Sequence, residues 1–109
     1  MDQLGNVLVA ISHQTRREII GYLVHAPARF SDIAQLFNTA VNAVTKHLKL
    51  LERAGLITRQ KKGREVYISF QGDPLREVAN WINEYETYWN GHLDQFQNFF
   101  VEKKKKEDR

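Results

Sequence analysis

Cysteine is absent from this chain of 109 residues. That removes disulfides, thiolate redox chemistry and thiolate metal sites together. No apolar run approaches the roughly 18 residues that a membrane span needs, so no membrane partner is expected. The opening stretch, MDQLGNVLVAISHQ, lacks a basic leader and soon turns polar. A signal peptide is therefore not expected, and a cytoplasmic location is the simplest expectation. There is no internal repeat and no Pro/Gly/Ser-rich linker, and the length suits one compact domain, expected over 1–102. The final residues, 103–109, are charged and read as a disordered tail. The signals of an enzyme are missing too: no Gly-rich phosphate loop, no cysteine nucleophile and no evident carboxylate pair. No catalytic residue and no cofactor is expected.

The charge that is present is sorted along the chain. From Asn42 to Arg64 seven lysines and arginines stand against Glu52 alone. From Pro74 to Glu102 Arg76 stands against five carboxylates. A charge run is commonly just a solvated face, but a basic middle inside an ordered fold points to a polyanionic partner.

Hydrophobic spacing gives the elements. Leu4, Val7, Leu8 and Ile11 recur at helical steps, as do Ile19, Ile20, Leu23 and Val24 before Pro27. Ser12 or His13 can cap the second of these helices, and Ser31 can cap a third, SDIAQLFN, with Ile33, Ala34, Leu36 and Phe37 inward. After a turn at Asn38-Thr39, a fourth helix is expected from about Ala40 to Ala54, with Thr39 as an alternative cap and Gly55 as the stop. The period then changes. LITRQ and EVYISF are short β-prone runs, with Val66, Ile68 and Phe70 alternating, and KKGR between them is a tight turn around Gly63. A last helix is expected from Leu75 to about Val101. The expected fold is therefore mainly α with a small β-hairpin: a winged helix-turn-helix of five helices and a two-stranded wing. Such a fold offers its fourth helix to the major groove of double-stranded DNA and its hairpin to the adjacent backbone.

The residues carry that reading further. On the fourth helix Val44, Leu48 and Leu51 form the core row, while Asn42, Thr45, Lys46 and Lys49 share the outer face. Lys46 and Lys49 suit phosphate, and Lys46 also a base edge. Asn42 can pair with adenine or can help cap the helix; Thr45 can touch a thymine methyl or a phosphate. His47 borders the core row and is either a base contact or a structural support. Lys61, Lys62 and Arg64 give the hairpin tip the charge that phosphate contact requires. Arg16 and Arg17 open a helix, where cations are disfavoured, so one of them is expected in a salt bridge or on phosphate. On the last helix Val78, Ile82, Tyr85, Trp89, His92, Phe96 and Phe99 step by four and three. This aromatic stripe exceeds what one small domain covers. A homodimer interface built from Tyr85, Trp89, Phe96 and Phe99 with Leu4, Val7, Leu8 and Ile11 fits the pattern.

TRREIIGYL, AVTKHLKLLERAGLI and KKGREVY together resemble the ArsR/SmtB repressors over roughly Val7 to Tyr88. The resemblance implies a dimeric repressor with an inverted-repeat operator, and leaves room for an effector of unidentified chemistry. The chain departs from the family pattern where His13-Gln14 precede Thr15 and where Ala40-Val41-Asn42 open the recognition helix. Many relatives sense metal through a cysteine pair in the third helix or aspartate and histidine pairs in the last. Neither pattern is present, and His13, His25, His47 and His92 show no ligand spacing, so no metal site is expected. The alternative function is a protein-interaction module that uses the aromatic last helix, with nonspecific DNA affinity. Single-stranded RNA binding needs exposed aromatics on the basic surface, and Tyr67 is the wing's only candidate.

Overall fold

The structure, a computed structural model, describes residues 2–37 and 40–107, and of Asp94, Phe96 and 98–107 the backbone alone. Its contacts fall into two compact units, Met1–Val78 and Ala79–Arg109. The elements of the first unit are α1 (Gln3–Ile11), α2 (Gln14–Leu23), β1 (Ala28–Arg29), α3 (Phe30–Leu36), α4 (Val41–Arg53), β2 (Ile57–Lys62) and β3 (Glu65–Phe70). The helix α5 (Asp73–Glu107) begins in that unit and makes up the second. Its backbone is helical beyond both ends of the apolar stripe.

Local chemistry explains most of the boundaries. Asp2 caps α1 by accepting the Gly5 N–H at 2.7 Å. Of the two residues able to open α2, His13 does so, with Nδ1 accepting the Thr15 N–H at 3.0 Å. Ser12 instead closes α1, its hydroxyl donating to the Val9 carbonyl at 2.6 Å. Ser31 is not the cap of α3. That helix starts at Phe30, and Arg29 ahead of it forms a two-pronged pair with Asp32 at 3.0 and 3.1 Å. Ala40 stands at the N-cap of α4 without a side-chain bond; the alternative cap Thr39 and the Asn38-Thr39 turn lie outside the described residues. The far end of α4 is firmly terminated. Gly55 takes φ 76°, its N–H reaches the Glu52 carbonyl at 2.9 Å, and the Leu56 N–H reaches the Leu51 carbonyl at 3.0 Å. This reciprocal pair satisfies two of the helix's last carbonyls.

The expected two-stranded wing is a three-stranded antiparallel sheet in the order β1-β3-β2. The hairpin β2–β3 closes through Gly63 and Arg64, with Gly63 at φ 63°, as a two-residue turn matched to strand twist requires. β1 contributes two residues, Ala28 opposite Ile68 and Arg29 opposite Tyr67. They occupy the other edge of β3, whose backbone groups would otherwise lack partners there.

Val7, Ile19, Ile33, Val44, Leu48, Leu51, Leu56 and Ile68 are completely buried and form the core of this unit with Leu23 and Ile57. Val24 and Leu36 are exposed, against expectation. Leu36 misses the core because at about 100° per residue it is turned away from the arc that Phe30, Ile33, Ala34 and Phe37 share. Val24 already stands at the C-cap of α2. Val7, expected at the dimer surface, is core instead, and Leu8 and Val9 are the exposed large hydrophobic residues of α1.

A Cβ at Gly55 would meet Pro74 Cγ at 3.5 Å and Gln3 Nε2 at 3.6 Å, which is ordinary contact. The cost of Gly55→Ala is therefore that of the left-handed backbone. Urea unfolding of this variant should show a loss of about 1–2 kcal/mol with an unchanged m-value. An unchanged midpoint would refute this account of the helix stop.

Candidate nucleic-acid interface

The outer face of α4 is fixed by what lies behind it. Val44, Leu48 and Leu51 have no exposed surface. Asn42, Lys46 and Lys49 are consequently exposed and Thr45 is half-buried. Among the described residues no carboxylate takes part in this group of four. Thr45 donates its hydroxyl hydrogen to the Val41 carbonyl at 3.0 Å, so toward a partner it offers a methyl group and an acceptor. A groove runs from here to the wing, lined by Ser31, Thr45, Arg59 and Arg64 beside Phe30, Glu65 and Val66. Arg64, the Ser31 hydroxyl and the part of Arg59 not engaged by Glu52 can donate to an anionic oxygen there, whereas Thr45, its hydrogen spent on Val41, can only accept.

The strand register distributes the wing cations. Lys61 is opposite Val66 and Lys62 is opposite Glu65. Neighbouring strand residues point to opposite faces, so the two lysines lie on the two sides of the wing. Lys61 shares its face with Arg59. Lys62 shares its face with Tyr67, and its Nζ lies 5.5 Å from that ring's centroid. Arg64 is exposed at the turn. Arg59 is not simply one more free cation: its Nε is 2.9 Å from Glu52 Oε2. The one carboxylate of the basic stretch is thus neutralised.

His47 is half-buried, and the structure gives it a partner that the sequence does not foretell. Arg16 Nη1 is 3.2 Å from His47 Nδ1. The His13 ring packs against it with centroids 4.7 Å apart. A guanidinium only donates, so the contact requires a bare Nδ1 and places the neutral ring's proton on Nε2. Burial holds the His47 pKa below the ordinary histidine value, with lesser contributions from His13 and Arg16. Arg16 itself is 7% exposed. Its Nε donates to the Ala10 carbonyl at 2.7 Å and Nη2 to the Val9 carbonyl at 3.1 Å. Arg17 Nη1 donates to the Ile11 carbonyl at 2.8 Å. Neither arginine needs a carboxylate or a phosphate: both close the carbonyl end of α1, where the helix dipole favours a cation. Their position directly after a helix end was the available clue.

Of the other surface expected from the sequence, Leu4 and Ile11 are half-buried and Leu8 is exposed. Tyr85 and Trp89 are exposed in a patch with Trp81, Ile82, Tyr88 and Leu93. The side chains of Phe96 and Phe99 lie outside the described residues. Among the described residues no group of three or more histidines and carboxylates could hold a metal ion. No described helix is long and apolar enough to cross a membrane.

Residues 11–60 match the helix-turn-helix domain family. The chain is 34% identical over 79 residues to the transcriptional repressor SdpR of Bacillus subtilis strain 168, covering 72% of this chain and 88% of that protein. A solved structure of an ArsR family transcriptional regulator superposes with a TM-score of 0.75 at 32% identity, over 81% of this chain and 91% of that one. The chain belongs to the ArsR family. A second solved relative, an ArsR-like transcriptional regulator from Rhodococcus sp. RHA1, gives a TM-score of 0.78 at 29% identity over 89% of both chains. This ArsR-type chain is thus a winged helix-turn-helix transcriptional regulator with a DNA-binding domain, and not an enzyme. In that frame α3 and α4 are the helix-turn-helix and β2–β3 the wing.

The lowered His47 pKa has a thermodynamic consequence. The unfolded chain binds the proton more readily, so stability is complete above about pH 6.5 and declines as pH falls below it. Thermal unfolding from pH 7.5 to pH 5 should show this decline, with a flatter profile for His47→Gln. Equal profiles for the two proteins would remove His47 as a source of acid sensitivity.

Proposed function

We propose that this ArsR-type regulator is a homodimeric repressor that binds an inverted-repeat operator in double-stranded DNA and blocks a promoter. The observation that carries the reading is the pairing of a polar, lysine-bearing face on α4, whose carboxylate Glu52 is held by Arg59, with a cationic wing. Asn42, Thr45, Lys46 and Lys49 are the groove-facing set; Lys61, Lys62 and Arg64 hold the flanking phosphates. His47 supports the helix from behind. Repression is supported by the likeness to SdpR, which is named a transcriptional repressor.

The dimer reading rests on exposed apolar surface. Trp81, Tyr85 and Trp89 line one apolar concavity of α5, and Trp81 and Tyr85 meet edge to face with centroids 5.4 Å apart. Exposed Trp and Tyr side chains such as these, with two-fifths or more of their surface bare, are the ones that interfaces bury. A second copy covers them; Leu4, Leu8 and Ile11 on α1, and Phe96 and Phe99 by their spacing in the sequence, are further candidates for contact with that copy. For both copies to engage successive half-sites, the two α4 helices must stand ~34–36 Å apart, one turn of DNA.

Selection from a random duplex pool at near-physiological salt tests the operator. The expected product is an inverted repeat with half-site centres about ten base pairs apart. Salt-sensitive retention without an enriched motif would instead favour a protein-interaction module that works through α5. Replacing Lys61, Lys62 or Arg64 by glutamine should weaken binding to all duplexes alike and lower the salt slope by about one per lost phosphate contact. Sedimentation should show Trp89→Ala shifted toward monomer; an unshifted dimer would place the interface elsewhere. Zinc, cobalt and arsenite at stoichiometric amounts should leave the DNA complex intact, because the chain has neither the cysteine pair nor the aspartate and histidine spacing of the metal-sensing relatives. Release by any of them would reveal a ligand set made without cysteine.

A further inference from the structure

We propose that Arg16 and the neutral ring of His47 form a strut that sets the position of the recognition helix α4, making both of them positioning residues for operator recognition rather than DNA contacts. The proposal rests on the DNA-binding reading above and goes beyond it. Three observations carry it.

The first is connectivity. One guanidinium binds the Val9 and Ala10 carbonyls at the end of α1 and His47 on α4. Among the described residues this is the one side-chain hydrogen bond that joins α4 to another helix through a side chain of α4 itself. The second is position. His47 lies between Lys46 and the core residue Leu48, and one residue from the groove-facing set. The apolar row of α4 resists lifting, but methyl groups sliding on methyl groups resist rotation and axial shift only weakly. A directional hydrogen bond to a buried arginine opposes both, and a shift of about an ångström is enough to spoil a two-pronged base contact. The third is burial. Arg16 is nearly inaccessible, so a phosphate cannot take it from its carbonyls without opening the junction of α1 and α2.

The strut also has a chemical condition. It needs a bare Nδ1, so a second proton on the ring abolishes it and sets a cation beside Arg16. The titratable and charged groups acting on the ring are His13 and Arg16, both from α2, and no carboxylate is among them to stabilise the charged form. Acidification is therefore expected to break the strut as the ring takes up its second proton.

The first test uses the full chain without DNA. Long-range proton–nitrogen NMR of the histidine rings at pH 7.5 should show His47 with its proton on Nε2, and Arg16→Lys should broaden or shift that signal. An Nδ1-protonated ring would overturn the strut outright. The second test measures binding to the enriched duplex and to a random duplex of equal length at pH 8. His47→Phe should lose at least about fivefold in the ratio of the two affinities, the lower bound for one displaced base contact. Its affinity for random duplex and its salt slope should not change. His47→Gln, which keeps an acceptor, should recover most of the ratio, and its ratio should stay level as pH is lowered from 8 to 5, where that of the wild type should fall. Loss of both affinities together with about one unit of salt slope would make His47 a direct contact and overturn the proposal. An unchanged ratio in His47→Phe, or no recovery in His47→Gln, would overturn it too. If the wild type prefers no duplex, the operator reading fails, while the ring tautomer still decides whether the strut exists.

Discussion

Everything that this chain offers to DNA depends on one constraint: α4 must be held on one side and bare on the other. Val44, Leu48 and Leu51 meet the constraint from within the helix, because their spacing of four and three keeps them in one row. Burial of each such side chain contributes roughly 1.5–3 kcal/mol, a large share of a domain stability of about 5–15 kcal/mol. The Gly55 stop then ends the helix where its carbonyls can be closed, and Leu56 and Ile57 re-enter the core immediately. The chain emerging from α4 has no freedom to choose another direction, so the wing is placed by the same few residues.

Electrostatics follows from this frame. Lys46 and Lys49 keep their charge exposed because they stand opposite the apolar row. Glu52 would repel a polyanion from the same helix, but Arg59 holds it at 2.9 Å. A solvated pair of this kind adds at most about 1 kcal/mol of stability, so its main effect is on the field that an approaching duplex meets. Arg16 and Arg17 look like part of the same basic surface in the sequence. In the fold they are absorbed by α1 carbonyls, and the positive potential is concentrated on α4 and the wing.

What was legible in the sequence is what short-range chemistry writes there. The row of α4, the stop at Gly55, the turn at Gly63 and the alternation of Val66, Ile68 and Phe70 each follow from period or from backbone preference. So does the outward face of Asn42, Thr45, Lys46 and Lys49. The remainder is non-local. Two residues of β1 have no pattern of their own; they are a strand because β3 offers an edge. Val7 and Leu8 are equally apolar, and only the packing of α1 decides that Val7 enters the core. Arg16 in α2 and His13 at its cap meet His47 on α4, some thirty residues away in sequence, so no spacing rule brings them together. Ser31 failed as a cap because Arg29 and Asp32 fix the start of α3 between them.

The sidedness of the wing makes its length more constrained than its composition. Side chains alternate strictly along β2, so Arg59 and Lys61 lie on one face and Lys62 on the other only at the present count of residues. Inserting or deleting a single residue between Gly55 and Ile57 would exchange the faces. Arg59 would turn away from Glu52, the carboxylate would stand bare on the recognition helix, and Ile57 would leave the core. Substitutions at the tip change the strength of the grip. A frame shift of one position changes its sign.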